Sequence, residues 1–310
     1  MVKHHFDIVF VADNNYAPYT AVTLQSLFNH HPQWNFDIWL VSCDFSEENT
    51  LKYISFCQRY QAKFHLIPVA LNELDDFEGI GFWSKYTFLK LLIAAKLPYS
   101  VKTALYLDGD VLITDKLDIL LGISIDDKSL AAVEDLCFVM DKNMEQFNLV
   151  SSAICINSGV MLLNLDKWRL ASKQNRFVSF VDEWKGKFSL CDQDVINNVF
   201  MDQIVALPLR YNLTHFCFGF RVMKFLTPSH RLQWKEARKH PAIVHFTNNT
   251  KPWIWETAHQ YKSLYISTAR STPYAQDFDM PFSSAKLGKK IHNLFRYTFM
   301  KIVDFVRLNF

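Results

Sequence analysis

The chain has 310 residues, is half hydrophobic and 21% charged, and carries 33 Lys and Arg against 31 Asp and Glu, a formal net charge of +2. That composition excludes a disordered chain, and a charge so close to zero argues against nucleic acid as a partner. The length suits one large α/β domain or two small ones. No stretch approaches the roughly 20 apolar residues of a spanning helix. The N-terminus shows no signal-peptide core, so a cytoplasmic chain is expected. Cysteines 43, 57, 137, 155, 191 and 217 form no Cys-x-x-Cys and read as buried thiols.

In chain order, Phe6–Ala12 is an apolar, β-branched run and predicts a buried strand. Asp13-Asn14-Asn15-Tyr16 closes it. Pro18 suits the first turn of a helix reaching His30. Phe36–Ser42 predicts a second strand, Ser46 the N-cap of a helix to Tyr60, and Lys63–Pro68 a third strand. This alternation belongs to a parallel sheet covered by helices. After an acidic, glycine-containing loop at 72–82, a helix is expected over Trp83–Lys96. The strand carrying Asp108 follows, then strands at 131–134, 159–165, 205–209 and 242–246, with helices from Asp166 and over Asp192–Met201. Ser271–Ser284 reads as a boundary, giving a 1–270 domain and a 271–310 linker and tail.

The run Ala104–Ile113 is broken only by Asp108 and Asp110. Unpaired buried carboxylates are costly. A strand that ends with two of them at i and i+2 reads as a divalent-cation clamp. Asp-x-Asp recurs at 192/194 and 277/279, so the preceding apolar run is what distinguishes the first; an acidic strand-end turn is the alternative. Parallel sheets bind ligands at the carboxyl ends of their strands, which places Val11, Ala12 and the turn after them at such a crevice. Neither a Gly-x-Gly-x-x-Gly nor a Walker loop is present, so a metal on Asp108 and Asp110 would have to hold any phosphate.

Five segments then fall in order: Ile8–Tyr16, Leu105–Asp110, Asn157–Leu165, Asp192-Gln193-Asp194, and His245 with Lys251-Pro252-Trp253. With them the chain resembles the family 8 glycosyltransferases of the GT-A fold over roughly 6–260. It is most similar to bacterial enzymes that add galactose or glucose to lipopolysaccharide or lipooligosaccharide. The resemblance implies a Rossmann-like mixed sheet flanked by helices. It implies that Asp13, Asn15 and Tyr16 meet the uracil and ribose, beside Val11 and Ala12. Asp108, Asp110 and His245 match the ligands of a manganese ion, with magnesium as a substitute. Lys251 matches the lysine on the diphosphate, with Gly109 and Asn248 in the same donor-binding set. Asn157, Gly159, Asp192 and Gln193 match the pocket around the sugar. Gln193 and Asp194 are the side chains placed near the β-face, and Asp192 completes the catalytic set. A neutral amide is a poor nucleophile, which favours front-face attack over double displacement.

Read from the residues alone, His245 could be a core histidine, Asp13 a helix cap, Asn157-Ser158-Gly159 a turn, and Asp192 the N-cap of its helix. Two positions depart from the family pattern. Phe88 stands in Tyr86-Thr87-Phe88-Leu89-Lys90 where an arginine of the donor pocket is usual, and Asn248 stands where a glycine is usual. The first leaves the donor hexose open. The expected activity is retaining transfer of a hexose from a UDP-sugar to a lipid-linked saccharide. A non-catalytic or altered-donor homologue is the alternative. The tail carries Lys286, Lys289, Lys290, Arg296, Lys301 and Arg307 against Asp304. Wound at about 100° per residue, it gathers Leu287, Ile291, Leu294, Ile302 and Phe305 on one face. This favours a basic amphipathic helix on an anionic membrane, placing the enzyme peripherally at the inner face of the cytoplasmic membrane, with a helix docked on the domain as the alternative.

Overall fold

The computed structural model describes residues 4–77, 85–136, 154–184, 191–219, 222, 226–249 and 251–279, with positions 288, 291, 292, 294, 295, 298, 299 and 302 of the tail. The elements are β1 (His5–Val11), α1 (Ala17–His30), β2 (Asn35–Ser42), α2 (Glu47–Gln58), β3 (Lys63–Pro68), α3 (Leu89–Lys96), β4 (Thr103–Leu107), β5 (Val111–Ile113), α4 (Asp118–Leu121), β6 (Leu130–Glu134) and β7 (Ile156–Asn164). They continue with α5 (Leu165–Lys173), α6 (Arg176–Trp184), α7 (Asp192–Val199), β8 (Ile204–Leu207), β9 (Leu213–Thr214), α8 (Pro228–Lys239), β10 (Ile243–His245) and α9 (Lys262–Ala269). The chain forms two compact bodies. One comprises Met1–Ala17, Gln33–Asp108 and Leu117–Leu207; the other comprises Pro18–Pro32, Gly109–Lys116 and Pro208–Phe310.

In the first body, seven strands of the described residues form one sheet in the order β3-β2-β1-β4-β7-β6-β8. All pairings are parallel except those of β7, which runs against both β4 and β6. The expected mixed α/β sheet flanked by helices is therefore what forms. The reversal of β7 matters for position. Leu107 pairs with Val160, and the Asp108 amide donates to the Gly159 carbonyl at 2.8 Å. Residues 157–159, at the start of β7, thus lie beside the end of β4. Ser46 caps α2 as expected, its hydroxyl accepting from the Asn49 amide. One face of the sheet buries Val9, Trp39, Tyr106 and Met161 against Ile93, Trp168, Phe177 and Phe200. Each such side chain contributes roughly 1.5–3 kcal/mol of transfer free energy.

The sequence argues against a strand packed through both carboxylates, and none forms: β4 stops at Leu107, and after a turn β5 joins a different sheet. A helix boundary is corrected. The helix expected from Trp83 starts its regular turns only at Leu89, after a 3-10 turn over Lys85–Phe88; Trp83 itself lies outside the described residues. Phe88 is completely buried and lies parallel to Phe77 with ring centroids 5.3 Å apart. The residue that departs from the arginine pattern therefore packs its ring in the core.

In the second body, β5, β10 and β9 form a three-stranded sheet, with β5 antiparallel and β9 parallel to β10. Helix α1 is tied to β5 twice: Thr23 Oγ1 donates to the Val111 carbonyl at 2.8 Å, and the Ile113 amide donates to Ser26 Oγ at 3.0 Å. The register sets Val111 opposite His245, and the Phe246 amide donates to the Asp110 carbonyl at 3.0 Å.

Candidate active site

At the carboxyl end of β1, the chain turns through Asp13, whose carboxylate accepts from the Tyr16 amide at 2.7 Å. Asp13 is thus the cap of the turn Asn14–Tyr16. Asn14 fastens the turn to the start of α2: its Oδ1 accepts from the Ser46 amide at 3.0 Å and from Asn49 Nδ2 at 2.8 Å. Ala12 is buried, Val11, Asp13 and Tyr16 are half-buried, and Asn15 is exposed. The segment therefore offers a fixed backbone with Asn15 facing outward.

On the neighbouring strand end of the same body, a polar network surrounds Lys90. This lysine is 6% exposed, so its ammonium must be compensated. It lies 2.7 Å from Asp192 Oδ2 and 3.4 Å from Asp108 Oδ1. It donates to the carbonyl and the hydroxyl of Ser158, both at 3.2 Å. Burial alone would pull the Lys90 pKa down; Asp108 and Asp192 outweigh it and hold the ammonium charged above its ordinary value. Ser158 Oγ donates to Asp192 Oδ2 at 2.9 Å, and Tyr106 donates to Asp108 Oδ1 at 2.5 Å. Gln193 Oε1 accepts from the Ser158 amide and from Asn157 Nδ2, each at 3.2 Å, while its Nε2 donates to Asp135 at 3.1 Å. The Gly159 amide donates to Asn157 Oδ1 at 3.1 Å.

The structure therefore brings together Asp108, Asn157, Gly159, Asp192 and Gln193. Asp194 is also buried, but at about 100° per residue it projects from α7 roughly 200° away from Asp192. Asp192 is not the N-cap; it is the first helical residue, where the helix dipole favours its charge. The N-cap is Cys191, at φ 54° and ψ −113°. A side chain there carries on the order of 1–3 kcal/mol of backbone strain. Its thiol is pushed up to about 12 by burial and stays protonated.

The second body holds the other half of the predicted set. Asp110 and His245 are both buried. His245 Nε2 lies 3.1 Å from Asp110 Oδ1, and Lys251 Nζ bonds Asp110 Oδ2 and, at 2.8 Å, the Phe246 carbonyl. Burial raises the Asp110 pKa, but His245 and Lys251 outweigh it and hold the carboxyl well below the usual carboxylate range. On its other side, His245 Nδ1 lies 3.0 Å from Asn212 Oδ1. With Nδ1–H donated to that amide oxygen, Nε2 is the nitrogen left to ligate a cation. Asp108 and Asp110 thus enter different networks, separated in the chain by Gly109 alone.

Asn248 is exposed at φ 62°. The backbone there is left-handed, which accounts for a glycine in the family pattern. Asparagine is among the few other residues that visit this region routinely. The face of Trp253 is occupied by Tyr19, stacked at 3.8 Å.

The sequence reading gave no role to Lys90, Asp135, Ser158 or Asn212. Lys90 had a signal: it is the one charge within Phe88–Ala95, a run otherwise apolar.

The chain belongs to glycosyl transferase family 8, whose model matches residues 7–256. Its architecture is the GT-A fold. It is similar to the galactosyltransferase LgtC, solved in complex with donor and acceptor sugar analogs, with a TM-score of 0.75 at 24% identity over 92% of this chain and 100% of that one. Among curated proteins, general stress protein A of Bacillus subtilis is 26% identical over 84% of this chain and 91% of its own length. A lipopolysaccharide 1,2-glucosyltransferase of Escherichia coli is 23% identical over 88% of this chain and 81% of its own length.

Proposed function

We propose that this glycosyltransferase is a retaining, metal-dependent hexosyltransferase that moves galactose or glucose from a UDP-sugar to a saccharide of a lipopolysaccharide or lipooligosaccharide core. The observation that carries the reading is the convergence of His245 and Lys251 on the buried Asp110 carboxylate, two residues after Asp108. The donor set of carboxylate oxygens and an imidazole nitrogen oriented by Asn212 fits manganese, with magnesium as a substitute. Asp108, Asp110 and His245 would hold the ion, which when bound supplies Lewis-acid stabilisation to the diphosphate.

The chain's own residues do the rest. Val11, Ala12, Asp13, Asn15 and Tyr16 receive the uridine. Lys251 exchanges its Asp110 contact for the diphosphate and holds positive charge against the leaving group. Asn157, Gly159, Asp192 and Gln193 orient the hexose, and Gly109 and Asn248 line the diphosphate with backbone. The acceptor hydroxyl oxygen forms its bond to the anomeric carbon as the bond from that carbon to the diphosphate oxygen breaks, and the hydroxyl proton passes to the diphosphate. Front-face attack is favoured because both ends of the Gln193 amide are already hydrogen-bonded. The intact Asp108-Gly109-Asp110, with His245 and Lys251 on Asp110, argues against a non-catalytic homologue.

UDP release from UDP-galactose and UDP-glucose, with and without saccharide acceptor, tests the reading. Release is expected with manganese and should be lost in EDTA. Full transfer in EDTA would overturn it.

The tail completes the proposal. Positions 288, 291, 292, 294, 295, 298, 299 and 302 are helical, and Ile291, Leu294, Phe295, Phe299 and Ile302 are all exposed. Exposed aromatic and aliphatic residues in a stretch of sequence rich in Lys and Arg suit an anionic membrane at the cytoplasmic face, where a lipid-linked acceptor is presented. Each basic residue contributes on the order of 1 kcal/mol there. Truncation near Ser284 is expected to leave transfer to a short free acceptor and to abolish sedimentation with anionic vesicles at low salt. Failure of the full-length chain to bind such vesicles refutes the membrane role.

A further inference from the structure

At the amino end of the large sheet, the edge opposite Asp108, five side chains collect on one face. Strands β1 and β2 run parallel with Asp7 beside Asp37, and β2 and β3 set Trp39 beside His65. The period of two puts His5 and Asp7, Asp37 and Trp39, and His65 on the same side. Two carboxylates directly abreast repel, and a cation shared between them relieves that repulsion.

The hydrogen bonds divide each carboxylate into a held oxygen and an offered one. Trp39 Nε1 donates to Asp7 Oδ1 at 2.7 Å, and His65 Nε2 meets Asp37 Oδ1 at 2.6 Å. Trp39 and His65 are themselves stacked, with centroids 4.0 Å apart, so both partners are fixed. The remaining oxygens turn to one imidazole: His5 Nε2 lies 3.2 Å from Asp37 Oδ2 and 4.0 Å from Asp7 Oδ2. These ligand atoms all fall within 4.8 Å of one another. Tetrahedral zinc with bonds near 2.0–2.2 Å spaces its ligands about 3.3–3.6 Å apart. Carboxylate ligands whose second oxygens are hydrogen-bonded are the arrangement that orients a metal site.

We propose that His5, Asp7 and Asp37 form a second cation site, distinct from the transfer site, for a zinc-class divalent ion. Trp39 and His65 orient the two carboxylates. The imidazole selects zinc over calcium or magnesium. The site joins the start of β1 to β2, and a bound ion stabilises the folded chain by mass action.

The test uses the full chain and Zn2+ itself. Equilibrium dialysis and thermal melting are compared for the parent and His5→Ala. The His5 side chain is half exposed, so its removal leaves the core intact. The parent is expected to hold one more Zn2+ per chain than His5→Ala at micromolar free ion, and its melting temperature should rise with that occupancy. Co2+ should give tetrahedral visible absorption in the parent that His5→Ala lacks, and Asp37→Asn should lose the same ion. Transferase rates with manganese should be equal in parent and His5→Ala. Equal Zn2+ stoichiometry in the two proteins, or a difference that saturates only at millimolar Zn2+, overturns the site and leaves the cluster as His–Asp ion pairs.

Discussion

Replacing Lys90 with methionine is expected to abolish transfer and to lower folding stability by about 3–5 kcal/mol, the cost of breaking a buried ion pair from one side. Methionine fills the volume but leaves Asp108 and Asp192 with no compensating ammonium, and it removes two bonds to Ser158. Lys90→Arg should not rescue activity, because a planar fork cannot reproduce a point charge shared by two carboxylates and a carbonyl. Urea unfolding and UDP release measure the two effects. A stability change under about 1 kcal/mol, the scale of an exposed pair, would show that the network does not hold the fold together.

Asp110→Asn is expected to lower transfer by about a thousandfold or more. Several kcal/mol of charge stabilisation would be lost, at about 1.4 kcal/mol per decade of rate. The variant should still fold, since the Phe246 amide bonds the backbone carbonyl at this position. A pH signature accompanies it. The Asp110 pKa is depressed in the folded protein below its ordinary 3.8, so its contribution to stability is complete above that value and is lost as pH falls through the lower folded value. The urea midpoint of the parent should therefore drop more steeply than that of Asp110→Asn below about pH 4. Parallel curves would mean that His245 and Lys251 do not stabilise the carboxylate.

Much of this was legible in the residues. Strands β1, β2 and β3 announce themselves by apolar, β-branched runs between turn formers, and Ser46 marks α2 by capping chemistry. Asp110 and His245 meet, as the family resemblance implied. Other features were not legible. Helices α6, α8 and α9 are too short or too polar for a clear apolar stripe, although Thr227 before Pro228 is a cap followed by a favoured first residue. The change of sheet between β4 and β5 depends on tertiary pairing, which no local pattern records. The partner of Phe88 was not legible either, because its stacking on Phe77 is set by tertiary packing. Lys90 was visible as a charge in an apolar run, but its partners come from β7 and α7, far along the chain.

Strand β4 has a kinetic consequence. Strands β1, β2 and β3 pair with their sequence neighbours, whereas Leu105 in β4 pairs with Ile8 on one side and Leu162 on the other. Each ladder of β4 closes a long loop, so its insertion is expected late on the folding path. The strand that delivers Asp108 is then expected to be unformed in the transition state. Leu105→Ala should speed unfolding while leaving the refolding limb of the chevron almost unchanged. Refolding slowed in proportion to the lost stability would instead put β4 in the nucleus.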